Sequence, residues 1–75
     1  MHVHLSDPSL VDDLLAFLRD RQCVAVADPA GRIFVSIPES AREDAARLEV
    51  GLYLQVWRAS HPDVDVRLLP EAPLL

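Results

Sequence analysis

The chain has 75 residues, 51% of them apolar, and a formal net charge of −5 from 12 acidic and 7 basic side chains. That length makes one domain, in which about 60% of the unfolded chain's surface becomes buried, enough for one thin core but little room for an enclosed active site. The apolar content excludes a disordered chain, no uninterrupted apolar run approaches the roughly 18 residues of a membrane span, and the acidic balance disfavours nucleic acid and anionic membrane as partners.

The N-terminal MHVHLSDPSL lacks a basic segment followed by an apolar one, so no export signal is read. The single Cys23 fits a reducing cytosol, and a cytoplasmic location is expected. All seven basic residues are Arg, with no Lys, Asn or Thr, which suggests a GC-rich bacterial genome.

MHVHL alternates strictly and reads as a short strand with Val3 and Leu5 on one face and His2 and His4 on the other. Asp7 and Pro8 suit the N-cap and first position of a helix over about residues 8–21, in which Leu10, Val11, Leu14, Leu15 and Leu18 share a face. Cys23–Ala27 and Arg32–Ile37 are β-rich runs joined by Asp28-Pro29-Ala30-Gly31, whose Asp, Pro and Gly suit a type I turn. Ser40 and Glu43 match a capping box, so a second helix is expected from there to about Ser60, where His61 meets the negative end of the helix dipole and Pro62 stops propagation. Val64, Val66 and Leu68 alternate with Asp63, Asp65 and Arg67 in a last strand.

The order βαββαβ over residues 1–69, followed by a tail at 70–75, closes most simply into a four-stranded antiparallel sheet of order 4-1-3-2 with both helices on one face. That α+β arrangement resembles the ferredoxin-like plait, a superfold that does not fix a function.

The second helix has more apolar surface than one core needs. Ala41, Ala45, Leu48, Leu52, Val56 and Ala59 fall on one line at about 100° per residue and are expected to face the core. Ala46, Val50, Tyr53 and Trp57 form a second line roughly 130° away, with Leu54 just beyond it. Val50, Tyr53, Leu54 and Trp57 are therefore the expected interface, with the first helix or the C-terminal tail, through Pro73, Leu74 and Leu75, as the alternative cover within the monomer. Gly51, between the polar and core faces, marks a place where another backbone can approach.

Chemistry-bearing motifs are sparse. His2 and His4 lie on one side of a strand, and the opening MHVHLSD resembles the metal-binding start of amidohydrolases and related phosphoesterases. Those enzymes resemble barrels far longer than this chain, with further His and Asp ligands, so no metal or cofactor is expected. An aromatic at Phe34 beside His2 resembles the stacking platform of RNA-recognition motifs, but GRIFVSI lacks the Gly and additional aromatics of that pattern. Asp12 and Asp13 diverge by about 100° on a helix and do not share a proton. No catalytic residues are assigned, and the expected function is non-enzymatic: a homodimerising or protein-docking module. The alternative is a domain resembling the ligand-sensing ACT domains, binding a small molecule at the Ser6–Ser9 loop.

Overall fold

A computed structural model describes residues 1–29, 32–38 and 42–70. Their elements are β1 (His2–Leu5), a 3₁₀ turn (Pro8–Leu10), α1 (Val11–Asp20), β2 (Val24–Ala27), β3 (Arg32–Ser36), α2 (Glu43–Ala59) and β4 (Val66–Leu68). Asp7 caps the first turn as its side chain suggests, accepting from the Ser9 amide at 3.0 Å and the Ser9 hydroxyl at 2.6 Å. At the other end of α1 the Cys23 amide donates to the Leu18 carbonyl and the Gln22 amide to that of Arg19. This is a Schellman closure, and its left-handed position is taken by Gln22 at φ 67° where Gly is usual. The closure carries Cys23 into the core opposite Leu18, and both are buried.

Helix α2 starts later than a Ser40 capping box requires. Ser40 and Ala41 lie outside the described residues, but Arg42 is the N-cap, with extended backbone and no side-chain cap, so Glu43 is the first helical residue rather than the third. Glu43 and Asp44 in the first turn complement the positive end of the dipole, and Arg58 in the last turn the negative end. The Asp28–Gly31 turn and the tail also fall partly outside the described residues: Ala30, Gly31 and Glu71–Leu75, with the proposed cover by Pro73, Leu74 and Leu75 among them.

The four strands form one antiparallel sheet of order β2-β3-β1-β4, which from the β4 edge runs 4-1-3-2. β1 is central, pairing Val3 with Ile33 on one side and Leu68 on the other. Val3, Leu5, Ala25, Ile33, Val35 and Val66 point to one face, where they join Leu14, Leu15 and Leu18 of α1 and Val50, Leu54 and Trp57 of α2 in a single core. Both helices therefore cover the same face. The other face carries His4, Val24, Val26, Arg32, Phe34 and Arg67, all exposed.

The two apolar lines of α2 take opposite sides to those expected. Ala46, Val50, Leu54 and Trp57 are buried, with Val50 at 0%, Leu54 at 4% and Trp57 at 2% exposure, and Tyr53 packs half-buried beside them. Leu48, Leu52 and Val56, read from sequence as core, stand 68%, 52% and 56% exposed. Area decides in part, because Trp and Tyr bury more surface than Leu or Val. Polar atoms decide the rest. Turned inward, Trp57 donates Nε1–H to Asp13 Oδ2 at 2.9 Å, and Arg47 reaches the Leu69 carbonyl at 3.0 Å, tying α2 to the end of β4.

One edge of the sheet is guarded. The Asp28 amide donates to the Arg32 carbonyl, so by antiparallel alternation Val24 and Val26 bond to β3 while the amides and carbonyls of Ala25 and Ala27 turn to the open edge. Arg19 covers one of them, donating from Nε and Nη2 to the Ala25 carbonyl at 3.0 and 2.7 Å. Such a plug opposes edge-to-edge pairing, a general hazard of exposed strands flanked by apolar side chains such as Val24 and Val26. Arg19→Ala is expected to raise light scattering on mild heating well below the melting temperature. Scattering equal to wild type would mean that the shortness of β2 protects it by itself.

Candidate functional site

Among the described residues, the outer line of α2 leaves three large apolar side chains exposed along one helix face. Leu48, Leu52 and Val56 are flanked along the same line by Ala45 and Ala59, which are exposed too. The line is mirror-symmetric about Leu52, with a large aliphatic residue four positions before and after it and an alanine seven positions before and after. Gly51 lies on its flank, and a Cβ there would meet nothing within 4 Å, so among the described residues no backbone makes the close approach expected of it. Val50, Leu54 and Trp57, the residues expected to meet a partner, are sealed in the core, and Tyr53 is half-buried against it.

Beside the C-terminal half of this stripe lies an open groove of about 620 Å³ between α1 and α2, lined among others by Asp13, Phe17, Asp20, Val56, Trp57 and His61. Its wall is a three-residue cluster. The rings of Trp57 and His61 stack at 4.0 Å and 15°, one helical turn apart, while Asp13 Oδ2 receives Trp57 Nε1 and stands 3.4 Å from His61 Nε2. His61 Nδ1 sits 2.9 Å from the Trp57 carbonyl, which can only accept, so that nitrogen carries a proton. Both ring nitrogens thus face groups of the protein. Across the groove Arg21 lies over the Phe17 ring at 3.6 Å.

Sequence reasoning placed His61 at the helix end but missed this cluster. The available signal was the four-residue spacing of Trp57 and His61, combined with the need of a buried indole N–H for an acceptor. Asp12 and Asp13 do part company: Asp13 joins the cluster and Asp12 is exposed.

On the open sheet face His2 meets Phe34 edge-on at 5.5 Å, as its place beside β3 suggests. His4 stands between Arg32 and Arg67. Each of those arginines faces an acid of its own, Asp28 at 3.5 Å and Asp65 at 2.8 Å. Among the described residues no group of three His, Cys, Asp or Glu side chains is arranged to hold a metal. In the Ser6–Ser9 loop, Ser6 Oγ accepts from the Asp65 amide and Ser9 bonds Asp7, so these polar groups serve the loop itself. No helix among the described residues is long and apolar enough to cross a membrane.

Cys23 and Tyr53 share an acidic neighbour. Burial, then the Glu49 carboxylate, push the Cys23 thiol above its ordinary 9.0, with Arg21 opposing. Tyr53 is held above its ordinary 10.0 by desolvation, the Glu49 charge and its hydrogen bond to Glu49. A nucleophilic role for Cys23 is disfavoured, since the thiolate is the reactive form. Both groups bind their protons more tightly folded than unfolded. The stability they contribute is complete below the unfolded values and is lost as pH rises from about 9 through the folded ones. The chain has one Cys, one Tyr and no Lys, and Arg stays charged, so side-chain titration in that range belongs to these two. The urea midpoint is expected to hold from pH 7 to 8 and to fall toward pH 10, less steeply in Glu49→Gln. A midpoint flat to pH 10 would contradict this account.

The chain matches no family model, no curated protein and no solved structure.

Proposed function

We propose that the chain is a non-enzymatic interaction module, built on a ferredoxin-like plait, that homodimerises through the outer stripe of α2. The supporting observation is the mirror symmetry of Ala45, Leu48, Leu52, Val56 and Ala59 on an exposed helix face. A twofold interface is self-complementary, each surface patch meeting its own copy. In an antiparallel pair with the axis at Leu52, Leu52 meets Leu52, Leu48 meets Val56, and the two small alanines meet at the ends, where they let the helices close to the usual 8–10 Å or so.

Charge agrees with this register. Asp44 and Arg58 lie on one flank of the stripe, and the pairing brings each Asp44 within about two residues, or 3 Å along the axis, of the level of the partner's Arg58. The antiparallel arrangement also sets the dipole ends of the two helices against their opposites. A small domain with one thin core gains apolar burial by such pairing. The plugged β2 edge leaves the helix face as the larger sticky surface. The test is sedimentation velocity from low to high micromolar concentration. A mass rising to that of two chains is expected, and a monomer at every concentration would refute the reading.

A further inference from the structure

β2 and β4 are the two edges of the sheet, and they are finished differently. Arg19 plugs the β2 edge, whereas among the described residues no hydrogen bond reaches the outward backbone groups of β4. We propose that the crease between α2 and the β4 edge takes an extended acidic segment of a partner protein as a fifth strand. This surface is separate from the outer stripe of α2, and the proposal is independent of the helix pairing.

The backbone comes first. The Ser6 amide donates to the Asp65 carbonyl and the Leu69 amide to that of His2, so Asp65, Arg67 and Leu69 face β1. Alternation turns the N–H and C=O of Val66 and Leu68 to the open edge, where among the described residues neither finds a partner. Val66 is only 3% exposed, its side chain lying in the core, yet with Leu68 it lines an open crease of about 260 Å³. Little water reaches its backbone there, so a strand that supplies the missing bonds relieves a buried polar pair. A second copy of β4 is a poor strand for this edge. Antiparallel pairing of β4 with itself sets Arg67 opposite Arg67, and like charges directly opposed are unfavourable.

The side chains of the crease name the occupant. α2 and β4 run in opposite directions, with Arg47 bonding the Leu69 carbonyl at one end and Ala59 and Val64 lining one hollow at the other. Gly51, Leu54 and Arg58 therefore wall the crease from α2 against Leu68 and Val66 of β4. Past Gln55 and Arg58 it continues into that second hollow, of about 270 Å³. No acidic side chain lines either part, in a chain that has 12 of them. Arg67 keeps Asp65 at 2.8 Å, but Arg58 is exposed and bonds nothing among the described residues. Five N–H donors leave Arg58 room for a ligand even where Asp44 of a second copy comes near. At the Leu68 end Gly51 leaves the space open, since a Cβ there would meet nothing within 4 Å. Residues of an added strand opposite Leu68 and Val66 lie two apart and point to the α2 side. The first is apolar, over Gly51 and Leu54, and the second is a Glu that reaches Arg58.

The test adds a synthetic peptide with the core Thr-Val-Thr-Glu-Thr to the full chain, in about 0.15 M salt, which screens the net charge beyond about 8 Å. At saturation the peptide is expected to slow amide exchange at Val66 and Leu68 about tenfold or more. Arg58→Ala should weaken binding about tenfold, the loss of one charge-assisted contact. Gly51→Leu fills the open end with a good helix former, so it should block the peptide and leave the fold intact. N-methylation of the peptide's Val and Glu amides, which face β4, should abolish binding, and N-methylation of its Thr amides should not. A peptide with Lys in place of Glu is the sharpest control. The acidic chain attracts it at long range, so a preference for Glu runs against the general field and reports the contact with Arg58. Unchanged exchange at Val66 and Leu68 in millimolar peptide overturns the fifth strand, and equal binding of the Lys and Glu peptides overturns the acidic occupant. Neither result touches the helix pairing, which is read from mass.

Discussion

Trp57→Ala is expected to lose about 3–5 kcal/mol of stability, whereas Leu52→Ala in the dilute monomer should stay within about 0.5 kcal/mol of wild type. The contrast follows from exposure, 2% against 52% on the same helix. Trp57 closes the core above Val50 and Leu54, and its indole N–H bonds Asp13 on α1, so truncation leaves a large cavity and uncouples the two helices. A chain of this length has a total stability of about 4–11 kcal/mol, so the variant sits near the edge of folding. At about 4–8 °C per kcal/mol, the melting temperature should drop by at least about 12 °C. Trp57→Phe, which keeps most of the ring but loses the bond to a solvated Asp13, should fall between. Thermal melts at low protein concentration decide it. If Leu52→Ala melts as badly as Trp57→Ala, the two stripes of α2 have been assigned to the wrong sides.

That assignment is where the sequence was least legible. Every strand and helix could be read in order, because strict alternation in MHVHL and in residues 63–68, and the 3-4 spacing of Leu14, Leu15 and Leu18, are local signals with one geometric meaning each. The central place of β1 followed from crossover handedness and is what the pairings show. A helical wheel, in contrast, reports angles and not which angle meets the sheet. With Leu48, Leu52 and Val56 on one line and Val50, Leu54 and Trp57 on another, both choices bury an apolar stripe. The choice was settled by long-range polar contacts, from Trp57 to Asp13 across 44 positions and from Arg47 to Leu69 across 22. No spacing rule sees those pairs.

The same blindness hid the candidate site. The surplus of apolar surface on α2 was legible, and with it the case for a partner, but naming the residues required knowing which surplus remained after the core was filled. The groove was harder still, since Asp13 and Asp20 come from α1, Val56 and Trp57 from α2, and only the packing of the two helices sets them together. The capping box misled for a related reason. Ser40 and Glu43 have the right spacing, yet the N-cap is Arg42, which is extended and pairs its side chain with Asp44.

Leu52→Glu is expected to abolish self-association while leaving the monomer fold intact. Under the twofold pairing a single substitution is felt twice at one point, since two carboxylates are forced together at the centre of an apolar seam. Loss of a central anchor typically costs about 2 kcal/mol or more, so two copies cost about 4 kcal/mol, close to a thousandfold in the dissociation constant. The fold should tolerate the change because Leu52 projects away from the sheet, and a polar residue there only widens the polar sector between Glu49 and Gln55. Leu52→Cys supplies the positive counterpart. Two copies meeting at that position bring their α-carbons near the roughly 4.4–6.8 Å span of a disulfide, so mild oxidation should cross-link the dimer there, while buried Cys23 takes no part. Leu48→Cys, whose opposite number is Val56, should cross-link poorly. A Leu52→Glu chain that still sediments as a dimer would place the interface elsewhere, with the β2 edge the first surface to examine. Equal cross-linking at positions 48 and 52 would refute the register while leaving the face.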